Sequence, residues 1–211
     1  MYPLEGNRWM VNVGGRHGDD PPGDPEGFLA FVRELRTPTI YNAIRHAKPL
    51  GGVARYGFRE SVRRYFERLE TFPRGLVPFA DAICRFNPVY GQGMSVAALE
   101  ACLLRKLLER PTEERDPIAG LAPAFFAEVP ALLETPWSVA TSDFIHPSTR
   151  GQRPADFETR IRFGIALTRL AAEDPAVHRL IAEVQNLLKP RSVYRDDPAL
   201  MQRVSAIMAQ M

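Results

Sequence analysis

The stretch that decides the fold is Leu76 to Ala101, which reads LVPFADAICRFNPVYGQGMSVAALEA. Its pattern predicts a short apolar strand over residues 76–80 that ends at the carboxylate Asp81. A loop rich in proline and glycine follows, and then a helix over residues 94–110. A carboxylate at the carboxyl end of a strand, beside the N–H groups of a helix start, is a common way to hold a nucleotide-like ligand.

The residue types of the loop suit a flat ligand that carries hydroxyl groups. Asp81 can accept hydrogen bonds from ribose- or ribityl-type hydroxyls. Pro88 lacks a donor and fixes the chain direction. Gly91 and Gly93 have no Cβ, so the backbone is free to take a positive φ and to approach a flat ring closely.

The start of the predicted helix carries a further signal. The amides of Gln92, Gly93 and Met94 would point outward with the positive end of the helix dipole behind them. Such an end suits an oxygen that becomes negative when a ring is reduced. The plain alternative is an ordinary strand–loop–helix turn that uses glycine at its corners.

The complete run matches more than two glycines. Ala80-Asp81, together with the stretch from Asn87 to Ala101, resembles the second FAD-binding motif of FAD-dependent monooxygenases with the para-hydroxybenzoate hydroxylase fold. In that family a Gly-Asp pair closes a strand and a Pro-x-x-Gly-Gln-Gly loop packs against the isoalloxazine. The resemblance implies that Asp81 holds the ribityl chain and that the ring is flanked by Pro88, Gly91, Gln92, Gly93 and Met94. Ala80 stands where the family usually has glycine, and residues 8–15 look like a strand of that family's substrate domain.

The resemblance also implies an activity. FAD would be reduced by NAD(P)H and would react with oxygen to hydroxylate a small organic substrate, so the protein need supply no nucleophile of its own. Within flavoenzymes, a prenyl reductase or a halogenase-like relative is the alternative. From another class, the alternative is a non-catalytic protein: a truncated remnant, or a helical interaction protein that keeps the flavoprotein fold.

One part of the family's pattern is missing. No Gly-x-Gly-x-x-Gly fingerprint for a pyrophosphate occurs, and the doublets Gly14-Gly15 and Gly51-Gly52 do not fit its spacing. We therefore expect the chain to correspond to the C-terminal part of such a flavoprotein and to carry half of the cofactor site. The expected macromolecular partner is a separate N-terminal flavoprotein half, or further copies of this chain in a homo-oligomer.

Composition argues against several other classes of protein. The formal net charge of +2 and the lack of a block of Lys and Arg argue against nucleic-acid binding. No apolar run reaches the roughly 18 residues of a membrane span, and the N-terminus lacks a signal-peptide pattern, so a cytoplasmic protein is expected. Cys84 and Cys102 have no partner spacing for zinc or a disulfide framework, and no metal is predicted.

The remaining pattern predicts an α+β protein, a partial FAD-binding monooxygenase fold with a small mixed sheet first and a mostly helical C-terminal half. We expect partial substrate-domain elements over residues 1–75, the strand–loop–helix motif over 76–110 and a helical region over 111–211. Strands are predicted over 7–14, 53–59 and 62–69, and an irregular loop over 137–152. Four N-cap–proline pairs predict helix starts: Asp24-Pro25, Asp116-Pro117, Asp174-Pro175 and Asp197-Pro198.

Two weaker candidates stand outside the motif. His146 is either a proton carrier near a substrate or, more simply, a loop histidine bonded to neighbouring backbone. Arg63, Arg64 and Arg68 either meet an anionic substrate or form a solvated face.

Overall fold

A computed structural model describes residues 1–110, 116 and 118–211. The chain divides into two compact units, Met1–Arg59 and Glu60–Met211. The first unit holds the strands β1 (Tyr2–Leu4) and β2 (Arg8–Met10), which pair antiparallel, and the helices α1 (Pro25–Arg33) and α2 (Thr39–Ile44).

The second unit carries most of the helices. It contains β3 (Val62–Arg63), β4 (Cys84–Arg85), α3 (Gly93–Leu108), α4 (Leu121–Ala140), α5 (Phe157–Glu173), α6 (Pro175–Gln185) and α7 (Pro198–Ala209). The fold is therefore α+β with a mostly helical C-terminal half, as the sequence predicts. The small mixed sheet is not found among the described residues, where the strands form two separate antiparallel pairs, β1–β2 and β3–β4.

Local capping explains where three of the helices begin. The Asp24 carboxylate accepts from the Gly27 N–H at 2.7 Å, and the Asp197 carboxylate accepts from the Leu200 N–H at 3.0 Å. Asp174 accepts from the N–H groups of Ala176 and Val177. These three predicted N-cap–proline starts are confirmed. Of the fourth pair, Pro117 lies outside the described residues, while Asp116 accepts from the Ile118 N–H.

The strand predictions were less accurate. Residues 76–80 are not a strand: Pro78 has no N–H to give to a ladder, and the strand of this region, β4, comes after Asp81 instead. Of the stretches 53–59 and 62–69, only Val62–Arg63 forms a strand, because its partner is β4 and not residues 53–59. The stretch 7–14 forms a strand only over Arg8–Met10.

Helix α4 corrects the predicted loop over residues 137–152, because it continues through Pro130 and Pro136 as far as Ala140. A proline inside a helix costs about 3 kcal/mol through its lost hydrogen bond and its ring clash. Burial of the apolar face of α4, which includes Phe125, Val129 and Leu133 at 0% exposure, offsets this cost.

Two hydrophobic clusters stabilise the second unit. The first joins α3 and α4 with Ile83, Cys84 and Phe86, and Phe126 packs against Phe66 and Phe72 with ring centroids 5.4 and 5.0 Å apart. The second is formed by α5, α6 and α7. Within the described part of the chain, no helix combines the length and the apolar character that crossing a membrane requires.

Candidate functional site

Asp81 lies in a single 3-10 turn over Ala80–Ala82. The turn is closed by hydrogen bonds from the Ala82 N–H to the Phe79 carbonyl at 3.0 Å and from the Ile83 N–H to the Ala80 carbonyl at 2.8 Å. Ala80 has a φ of +51°, in the left-handed region that residues with a Cβ seldom adopt. This turn leaves Asp81 exposed at the surface.

A buried glutamate holds this turn from inside. The Ala80 N–H donates to Oε2 of Glu100 at 2.7 Å, and Glu100 on α3 is fully buried. Burial raises the pKa of the Glu100 carboxyl, the hydrogen bond from Ala80 lowers it, and the nearby charge of Asp81 raises it, with a net rise.

An arginine holds the other side of the turn. The Arg64 guanidinium donates to the carbonyls of Asp81 and Ala82 at 3.4 and 3.2 Å, and the Arg64 N–H donates to the carbonyl of Ile83 at 2.8 Å. Its neighbour Arg63 forms a mostly buried ion pair with Glu67 at 3.1 Å. Arg63 and Arg64, two of the arginines that were candidates for contact with an anionic substrate, therefore make contacts within the protein itself.

The loop after β4 is built as one more 3-10 turn, Pro88–Tyr90. The Asn87 side chain caps it by accepting from the Val89 N–H at 3.1 Å, and the Gly91 N–H donates to the Pro88 carbonyl at 3.0 Å. The Tyr90 hydroxyl ties the loop to the segment after α4 through hydrogen bonds with Asp143 and Ser142. The loop that contains Pro88–Tyr90 continues through Gly91 and Gln92 directly into α3.

The two loop glycines differ in conformation. Gly91 has a φ of +64°, as the sequence predicts, and this conformation favours glycine. Gly93 has no positive φ and is the first residue of α3, so that part of the prediction was wrong: the helix begins one residue earlier than residue 94. A Cβ added at either glycine would meet no atom within 4 Å, so the space beside both is open.

The N-terminus of α3 has no side-chain cap. Its N-cap residue, Gln92, makes no side-chain capping hydrogen bond. The side-chain amide of Gln92 instead donates to the Gln185 carbonyl at 3.2 Å. Met94 is 88% exposed. Because the first N–H groups of a helix have no acceptor within the helix, this end presents donors and a partial positive charge.

The helix start and the Asp81 turn are held at a fixed separation. Glu100 anchors the turn seven residues after Gly93 along α3. At 1.5 Å of rise per residue, the backbone positions of Gly93 and Glu100 lie about 10 Å apart along the helix axis. A ligand that uses both features needs an acceptor at one end and donors at the other.

Other features of this region do not contribute chemistry. Burial raises the pKa of the Cys84 thiol to about 12, so this thiol stays protonated. An apolar depression of about 470 Å³ lies on the later turns of α3, lined by Phe79, Leu104 and Leu108 among others, and not at the glycine loop. His146 accepts a hydrogen bond from the Ser148 N–H at 3.2 Å, which fits the simpler interpretation of this histidine as part of a local turn.

Sequence reasoning missed Glu100 and Arg64 as supports of the Asp81 turn. A signal for Glu100 was present: it shares the buried face of α3 with Val96, Leu103 and Leu107, at spacings of four and three residues. A carboxylate in the middle of an apolar stripe needs a partner. Arg64 left no comparable signal, because its partners are backbone carbonyls.

Part of the chain is similar in sequence to a known protein. No protein-family model matches the chain. A segment of 109 residues, 52% of the chain, is 36% identical to "Protein Rv3254" of Mycobacterium tuberculosis (strain ATCC 25618 / H37Rv). The matched segment spans 23% of that protein, so it corresponds to less than a quarter of the relative's length. The name of this relative states no activity.

Proposed function

We propose that the segment from Ala80 to Met94 binds the isoalloxazine and ribityl part of FAD, and that the chain contributes this site to an FAD-dependent monooxygenase. The observation that carries the proposal is the open backbone at Gly91, left-handed and with free space beside it, immediately before the uncapped start of α3. A flat ring can approach such a backbone closely.

The turn at Ala80 supports the same proposal. Ala80 occupies the position at which the family that the sequence resembles has glycine, and its φ of +51° is one that glycine adopts without strain. The next residue, Asp81, is exposed, as a residue that accepts hydrogen bonds from ribityl hydroxyls must be.

In this proposal each feature has one task. The amides of Gln92, Gly93 and Met94 hold and stabilise negative charge at the pyrimidine edge of the ring. Pro88 and Gly91 flank the ring, and Asp81 holds the ribityl chain. Bound FAD supplies the redox chemistry, with NAD(P)H as reductant, oxygen as co-substrate and a small organic molecule as the one hydroxylated.

A second polypeptide segment is needed for the rest of the cofactor. The sequence has no Gly-x-Gly-x-x-Gly element to cradle the pyrophosphate. We propose that a separate N-terminal flavoprotein half, or another copy in a homo-oligomer, supplies it. Apolar burial between the two halves needs no covalent link, although the effective concentration of a joined chain is lost.

A comparison of two flavins tests the ring and ribityl contacts separately. Riboflavin carries the ribityl chain, whereas lumiflavin has only the ring. We expect Asp81→Ala to weaken riboflavin binding by about tenfold or more, because a hydrogen bond to a charged group contributes about 1.5–3 kcal/mol, and to leave lumiflavin binding unchanged. Fluorescence quenching measures both affinities.

Asp196→Ala is the matched control, since Asp196 is another exposed aspartate of the same unit. This variant should bind both flavins like the wild type. Absence of any flavin binding by the wild-type chain, alone or co-expressed with the N-terminal half of a full-length FAD monooxygenase, would refute the proposal. A non-catalytic remnant or helical interaction protein would then be the better account.

A further inference from the structure

Glu100 is an unfavourable residue for its position unless it has a task beyond packing. It is fully buried on the face of α3 that otherwise carries Val96, Leu103 and Leu107. Among the described residues no group forms a hydrogen bond with its Oε1, although that atom is buried. Burying a carboxyl with one oxygen unsatisfied is costly, and a leucine or methionine would fill the same stripe without that cost.

The hydrogen bond that Glu100 does make acts on the strained residue. Its Oε2 accepts from the N–H of Ala80, the residue with a φ of +51°. The hydrogen bonds that close the turn use the Phe79 and Ala80 carbonyls and leave the Ala80 N–H without a partner in the turn itself. Glu100 therefore satisfies the amide that the left-handed conformation turns toward the interior.

The direction of Asp81 follows from this turn. Arg64 holds the carbonyl side of Asp81 and Glu100 holds the amide just before it, so the two side chains fix the backbone on both flanks of the exposed carboxylate. If the Ala80 N–H lost its acceptor, Ala80 would gain by leaving the left-handed region, because its Cβ disfavours that conformation. Asp81 would then point elsewhere.

We propose that Glu100 is a positioning residue of the flavin site: it locks Ala80 in the left-handed turn that presents Asp81 to the ribityl chain. This inference rests on the proposed function of the motif. In this proposal Asp81 contacts the ribityl chain, and Glu100 acts on the specificity for a ribityl-bearing flavin only through the position of Asp81.

The test compares riboflavin with lumiflavin in variants of Glu100, using the full chain. Glu100→Met removes the acceptor and fills the stripe, so the preference for riboflavin over lumiflavin should fall by about tenfold, as for loss of the Asp81 contact. Glu100→Gln keeps an oxygen that accepts from the Ala80 N–H and should keep the preference. Lumiflavin affinity should be the same in all three proteins, because the ring contacts lie at the other end of the site.

A second substitution distinguishes positioning from general damage. Ala80→Gly relieves the strain, so the double variant Ala80→Gly with Glu100→Met should regain most of the lost riboflavin preference. Hydrogen exchange of the Ala80 amide, followed by NMR, should be slow in the wild type and in Glu100→Gln and fast in Glu100→Met. If Glu100→Met does not fold, Glu100→Asp replaces it, since the shorter side chain withdraws the acceptor yet keeps the carboxyl.

The outcomes separate the two proposals. A folded Glu100→Met or Glu100→Asp protein that keeps the full riboflavin preference overturns the positioning role while the flavin site stands. Loss of affinity for both flavins together, without rescue by Ala80→Gly, also overturns it and indicates a structural role only. Failure of the wild type to bind either flavin refutes the proposed function, and this inference falls with it.

Discussion

Replacing a loop glycine by alanine should change the free energy of unfolding in different ways at two nearby positions. Gly91→Ala should lower it, whereas Gly93→Ala should not. At Gly91 the φ of +64° strains any residue with a Cβ, at a cost of about 1–2 kcal/mol. Alanine also reduces the conformational entropy of the unfolded chain, and this effect stabilises the folded state by about 0.4–1 kcal/mol. No atom lies within 4 Å of the new Cβ, so no clash adds to the cost.

We therefore expect Gly91→Ala to lower the free energy of unfolding by only about 1 kcal/mol. Gly93 is the first residue of α3 and has no positive φ, so Gly93→Ala should leave the free energy of unfolding unchanged or raise it by up to about 1 kcal/mol, through helix propensity. Urea denaturation followed by circular dichroism measures both values.

The same two variants probe the flavin. If the ring packs against this loop, either methyl group occupies space that the ring uses, and an overpacked contact costs about 1–3 kcal/mol. Lumiflavin affinity should then fall by about tenfold in both variants although one is no less stable than the wild type. Unchanged lumiflavin affinity in both folded variants would show that the ring does not lie here, and a loss of several kcal/mol in Gly93→Ala would contradict the assigned helix start.

Three further predictions concern the chain by itself. Without a pyrophosphate cradle, it should purify colourless, as judged by visible absorbance; stoichiometric, tightly bound FAD would contradict the half-site. Because the pKa of Glu100 is raised above 4.5, its folded form holds its proton more tightly than the unfolded one. The stability of the wild type relative to Glu100→Gln should thus be greatest below pH 4.5 and be lost as the pH rises through the raised pKa, and urea melts that show the opposite slope would refute this. Leu133→Ala, at a fully buried position, should cost about 2–5 kcal/mol of unfolding free energy, and a loss below about 1 kcal/mol would place Leu133 outside the core.

The sequence predicted those elements whose signals are local. Asp24, Asp174 and Asp197 cap helices because an aspartate before a proline satisfies the first amides within three residues. Likewise Gly91 was predicted to take a positive φ from the loop pattern alone, and it does.

Elements that depend on distant partners were predicted poorly. The strand β3 pairs with β4, whose Cys84 lies 21 residues after its partner Arg63, and no local pattern specifies that register. Helix α4 continues past Pro136 because its buried face, and not its propensity, decides where it ends. Glu100 was missed for the same reason, since its partner Ala80 lies 20 residues earlier in the chain.

The site combines hydrogen-bond donors at the start of α3 with an acceptor, the Asp81 carboxylate. This combination favours a flavin as the ligand over a simple anion. A helix N-terminus alone suits phosphate, and a phosphate there would leave the Asp81 turn without a task. Yet this turn is held by two side chains, one of them the buried carboxyl of Glu100 with an unsatisfied oxygen, and Ala80 stays in a strained conformation to form it. Strain of this kind persists where the surroundings enforce it, and it concentrates at ligand sites. A ligand with an acceptor near Gly93 and hydroxyl donors near Asp81 uses both features, and a ring that carries a ribityl chain has that polarity.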